Sequence, residues 1–153
     1  MNPKSLLFDK FLKEEEIISF ERKDFDDEDG TVVYRSYIKS PLWDMPLFVI
    51  LDNSIYSVVR LVLGPEKVTA QNMNALNALI NRDNATYKNY KLYIDEQDSS
   101  LYLDCVYMLS LIHILRELCL IHLHQKVFPD GLLFPVKMGT MFLVVKPLLN
   151  VHK

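Results

Sequence analysis

The side chains with the most chemical potential gather late in the chain. All four histidines (His113, His122, His124 and His152) follow residue 110. His113, Glu117 and His124 are separated by steps of four and seven, which return to nearly the same side of a helix. Zinc or a similar ion would need these ligands around one centre, at bonds near 2 Å. At about 1.5 Å of rise per residue, His124 stands roughly 10 Å beyond the first pair, too far to share the ion. His122 points elsewhere. Buried or interfacial histidine is therefore the favoured reading, and a metal-dependent or hydrolytic enzyme built on His113, His122 and His124 is the alternative. Cys105 and Cys119 do not form a Cys-x-x-Cys pair. Their surroundings show neither an orienting third group nor an oxyanion donor, so both are expected to be reduced, inert thiols.

Acidic residues from Asp24 to Asp29 alternate like part of a calcium loop. The bidentate Glu such a loop needs later is missing, because position 35 is Arg, and a solvated turn explains the run better. Asp44, Asp52, Asp95 and Asp98 also fit turns. The chain contains four Gly and has no Walker loop, no Gly-rich dinucleotide turn and no Gly-x-Ser-x-Gly elbow. No catalytic group and no cofactor is therefore expected. Tyr34, Tyr37, Trp43 and Phe48 are aromatic residues suited either to a core or to a contact surface. Core packing should claim at least half of them. Trp43, set between Pro41 and Pro46, is the best exposed anchor.

The 153 residues are half hydrophobic and about a quarter charged, with a formal net charge of −3. That balance suits one globular domain, with or without an added tail, and lacks the basic signature of a nucleic-acid binder. Two Cys cannot staple a small disulfide scaffold. The charge is polarised: residues 1–30 carry ten acids against five Lys or Arg, whereas residues 111–153 carry two acids against five. Leu6–Phe8 is followed at once by Asp9 and Lys10, too short for a secretory core, and no run reaches the roughly 18 to 20 apolar residues of a membrane span. A soluble cytoplasmic protein is expected.

The elements that must position these residues follow from periodicity. Pro3 suits a first helical turn, and Leu7, Phe11, Leu12 and Ile18 recur near helical spacing, giving an amphipathic helix over residues 3–17. Three acids, Glu14–Glu16, oppose the helix dipole at its end and blur the boundary. Residues 24–30 form a turn. Residues 31–39, rich in β-branched and aromatic side chains, form a strand. Leu47–Leu51 and Ile55–Leu63 pair around Asp52–Ser54 as a hairpin closed by Gly64–Pro65. Met73, Leu76, Leu79 and Ile80 line one face of a second helix, crowded with Asn72, Asn74, Asn77, Asn81 and Asn84. Asn competes for backbone hydrogen bonds, so five in one helix is unusual. Residues 90–94 and 101–108 alternate as a second hairpin, with Leu101, Leu103 and Cys105 on one side and Tyr102, Asp104 and Val106 on the other. Leu111–Lys126 forms a helix apolar on most sides, ended by Phe128–Gly131. Residues 132–149 form either a last hairpin, with Pro135 marking an edge, or an apolar tail.

This order resembles the YbjN-like family, which shares the fold of type III secretion chaperones. Three passages carry the likeness: the hairpin 47–63 running into Gly64–Pro65, the Asn-rich helix 72–81, and Tyr90–Asp95 followed by Leu101–Asp104. The resemblance covers residues 5–128 and implies a bacterial, non-enzymatic, often dimeric protein that binds other proteins.

The expectation is thus an α+β protein, an antiparallel sheet flanked by helices in the order α-β-β-β-α-β-β-α. Residues 1–128 form a chaperone-like domain, and residues 129–153 an apolar extension packing on it or on a partner. The expected function is protein binding with self-association. The interface candidates are Trp43, Leu111, Ile114, Leu118, Leu123, Met141, Leu143 and Val145. A phage or mobile-element accessory protein is a further alternative.

Overall fold

The computed structural model describes residues 2–39, 44–64 and 68–108, with the backbone of 133–136 and 141–144. Helix α1 runs Pro3–Glu14. Asn2 caps it, its side chain accepting from the amides of Lys4 (2.9 Å) and Ser5 (3.4 Å) while Pro3 takes the first helical position. The helix closes earlier than expected, and the cap shows why. Glu16 turns left-handed at φ 54°. The amides of Glu16 and Ile17 then reach back to the carbonyls of Lys13 (3.3 Å) and Leu12 (2.8 Å). Those are the two bonds of a Schellman cap, and Ile17 is buried over it.

Four strands follow: β1 (Glu21–Asp24), β2 (Val32–Ile38), β3 (Met45–Leu51) and β4 (Tyr56–Gly64). Helix α2 (Met73–Thr86) and strands β5 (Tyr90–Asp95) and β6 (Ser100–Met108) complete the body. The strands form one antiparallel sheet in the order β1-β2-β3-β4-β6-β5. The α+β class is as expected, and both expected hairpins are present. The described residues place four strands between the helices rather than three. The addition is β1, whose four side chains are charged and exposed and so lack the alternation that marks a strand. The expected helix 111–126 lies outside the described residues, as does the packing of the extension. The backbone of β7 (Leu133–Val136) and β8 (Met141–Val144) pairs antiparallel, with Leu133 opposite Val144.

Alternation along the strands divides the sheet into two faces. Val32, Tyr34 and Ile38 of β2, Met45, Leu47, Val49 and Leu51 of β3, Val59 and Leu61 of β4, Leu92 of β5 and Leu103 and Cys105 of β6 form the core. Phe8, fully buried, enters it from α1, and Leu76 and Ile80 pack on it from α2. Phe8 meets the Tyr34 ring edge-on, with centroids 4.6 Å apart. The Tyr34 hydroxyl lies 2.8 Å from an Asp9 carboxylate oxygen and 3.2 Å from the Ser5 carbonyl. Burial, followed by the Asp9 hydrogen bond, raises its pKa. Both described helices therefore lie on the same face of the sheet.

The acidic turn locks these parts together. Asp27 accepts the Thr31 amide on its carboxylate (2.8 Å). The Gly30 carbonyl accepts from the Asn2 side chain (3.1 Å), and the Asp29 carbonyl accepts the Asn53 amide (2.9 Å). Gly30 has φ +59°, the left-handed region that glycine enters most easily, and a Cβ there would stand 2.8 Å from the side-chain nitrogen of Asn53, which would have to shift.

Candidate interaction surface

The second face of the sheet carries the even-numbered residues of β3, β4 and β6 and the odd-numbered residues of β2 and β5, and both described helices pack on the opposite face. Cross-strand partners share a face, so the register defines rows. One row crosses all six strands: Glu21, Arg35, Phe48, Arg60, Asp104 and Lys91. The next is apolar after its first member: Lys23, Val33, Ile50, Val58 and Val106. On the other side of the charged row stand Tyr37, Tyr93 and Tyr102. Tyr37 is 45 % exposed, Met108 at the end of β6 is 61 % exposed, and Phe48, Ile50, Val58 and Val106 are half-buried.

The charged centre of this face is well defined. Arg60 grips Asp104 in a two-pronged pair, Nε to Oδ1 at 2.8 Å and Nη2 to Oδ2 at 2.9 Å. Asp104 is buried, and the Tyr93 hydroxyl donates to it at 3.3 Å. The Arg60 guanidinium is raised above its ordinary pKa, mainly by the Asp104 hydrogen bond. Tyr93 is raised by burial and then by the Asp104 charge. The Tyr93 and Tyr102 rings stack 5.5 Å apart, and Arg60 sits 5.8 Å and 5.5 Å from their centroids. The Tyr102 hydroxyl donates to Asp98 (2.7 Å), which pushes it up to about 12. With both Asp104 oxygens engaged, the arrangement suits binding and the fixing of register between β4 and β6 rather than proton transfer.

Among the described residues, β1 and β5 are the edges of the sheet, and both are guarded against strand addition. β1 is short and wholly charged. At the other edge, Asn84 of α2 reaches the outer backbone of β5. It accepts the Leu92 amide (2.8 Å) and donates to the Leu92 carbonyl (2.9 Å), as a neighbouring strand would.

Of the interface candidates, Trp43, Leu111, Ile114, Leu118, Leu123 and Val145 lie outside the described residues, and Met141 and Leu143 are placed only as backbone positions of β8. The four histidines, Glu117 and Cys119 also lie outside them. Cys105 is buried in the core. Alternation splits the aromatic group, sending Tyr34 to the core and Tyr37 and Phe48 to the second face. The Arg60–Asp104 pair was not singled out from sequence, although a lone Arg among the apolar residues of β4 and a lone Asp in β6 were its signal. Among the described residues, no group of three His, Cys, Asp or Glu is placed to hold a metal ion, and no helix is long and apolar enough to cross a membrane.

No family model matches the chain, and neither a curated protein nor a solved structure matches it. The YbjN-like resemblance gains no support from these comparisons.

Proposed function

We propose that this chain is a non-enzymatic, chaperone-like protein-binding module that takes another protein chain against the second face of its sheet. The observation that supports this reading is the pattern of that face: an apolar row beside a charged row, flanked by tyrosines, on the side opposite both described helices. Soluble proteins rarely leave contiguous apolar patches beyond a few hundred Å² without a partner. Burial contributes roughly 25 cal/mol per Å² of apolar surface covered, and Tyr and Arg add directional contacts. Guarded edges leave the face, rather than a sheet edge, as the route of association.

The test is the substitution Phe48→Glu. A docking face tolerates it: the unfolding free energy of the isolated chain, measured in urea at sub-micromolar concentration, changes by about 1 kcal/mol or less. A loss of about 3 kcal/mol or more would place Phe48 inside the chain's own core and sink the reading.

A further inference from the structure

We propose that the occupant of the second face is another copy of this chain, joined face to face about a two-fold axis parallel to the strands and midway between β3 and β4. The inference rests on the reading of that face as a protein-docking surface. Rotation about this axis reverses the strand order while keeping each residue's height along the strands. With the order β1-β2-β3-β4-β6-β5, β1 then lies over β5 of the second copy, β2 over its β6, and β3 over its β4. The row Glu21, Arg35, Phe48, Arg60, Asp104, Lys91 therefore meets its own reverse. Glu21 faces Lys91 of the second copy, Arg35 faces its Asp104, and the Phe48 ring faces its Arg60. Glu21 and Lys91 thus meet opposite charges, Arg35 meets the carboxylate of the Arg60–Asp104 pair, and the Arg60 guanidinium meets an aromatic ring. The apolar row likewise lays Val33 over Val106 and Ile50 over Val58.

The other in-plane two-fold, perpendicular to the strands at this row, sets each strand over itself. It would bring Arg35 onto Arg35, Arg60 onto Arg60 and Lys91 onto Lys91, which like-charge repulsion opposes. Area is also sufficient. Six strands about 4.8 Å apart and seven residues rising about 3.3 Å each give a footprint of roughly 24 by 23 Å. With side-chain relief, that approaches the roughly 800 Å² per partner of a standard interface.

Sedimentation equilibrium on the full chain tests this with Glu21→Lys, Lys91→Glu and the double variant, each on an exposed outer strand. Within one chain these residues are about 24 Å apart, well beyond the roughly 8 Å screening length at physiological salt. Rescue can therefore arise only between copies. The wild-type chain is expected to be dimeric at roughly 50 μM, a concentration within the range such interfaces support. Each single reversal should weaken the dimer about tenfold, and the double reversal should restore it to within about twofold. A wild-type monomer at that concentration, with residues 109–132 of the same chain or another protein as the occupant, would overturn the proposal. So would a dimer indifferent to the reversals. Stability of the Phe48→Glu chain separates the two failures: unchanged, it leaves this face outside the chain's own core and only the occupant wrong, whereas a large loss sinks the docking reading as well.

Discussion

Asn84 shows how a residue that sequence reading marks as odd becomes intelligible once its neighbours are known. Four Asn residues within α2 and a fifth, Asn72, at its N-cap make an Asn-rich segment, and the four inside the helix conflict with helix propensity. Two of the five have a structural purpose visible in their bonds: Asn72 accepts the Thr69 amide at the helix entrance (2.8 Å), and Asn84 satisfies the outer edge of β5 at Leu92. Neither role is local enough to be read from spacing, because Asn84 and Leu92 are joined only when the chain turns back at Tyr87. Asn84→Ala should lower the unfolding free energy by about 1–2 kcal/mol, since it removes two hydrogen bonds and uncovers a strand edge. Asn77→Ala, at an exposed position of the same helix, should leave stability unchanged or slightly raised. Urea denaturation of the two variants measures the contrast, and equal effects would remove the edge-capping role. The Arg60–Asp104 pair carries the same lesson. Each partner is legible as a charge in an apolar strand, but their juxtaposition depends on β4 and β6 being neighbours across 44 residues.

At the scale of elements, the strands that alternate were legible and the one that does not was missed. β2, β3 and the first part of β4 show buried and less buried residues in turn; the β3–β4 hairpin follows from Asp52–Ser54 turn chemistry, and the β5–β6 hairpin from Asp95–Ser99. β1, with four exposed charges, has no such signal and exists because β2 offers it an edge. The end of β4 breaks the rule in another way. A register shift between Val62 and Gly64 leaves Leu61 to Gly64 all buried, where strict alternation would put every second residue on the other face. The close of α1 is an element property too. Glu16 occupies the left-handed position of the cap, where Gly is favoured, beside a helix terminus that disfavours acids. Glu16→Gly should therefore raise stability by about 1 kcal/mol despite the extra freedom it gives the unfolded chain. Thermal and urea unfolding check this, and a loss of stability would contradict the account of the cap.

For the whole molecule, the division of the sheet into a helix-covered face and a second face of mixed character is the feature from which the functional reading grows. Composition gave no hint of it, because the same apolar fraction builds either face. Alternation did predict that Leu103 and Cys105 would part from Tyr102, Asp104 and Val106, and the sheet preserves that separation. What sequence could not supply was strand order, and with it the row running from Glu21 to Lys91. The acidic beginning of the chain also has a mechanical role at this scale, because the 24–30 turn holds the entrance of α1 and the β3–β4 turn together through Gly30 and Asp29. The most direct test of the docking face is photo-crosslinking with a benzoyl-phenylalanine at position 37, where Tyr37 is exposed on that face. A control at position 75, on the exposed side of α2, completes the measurement. Mass spectrometry should find adducts joining two protein chains at position 37 and none at position 75. Adducts confined to one chain at position 37 would contradict the claim that this face receives another protein.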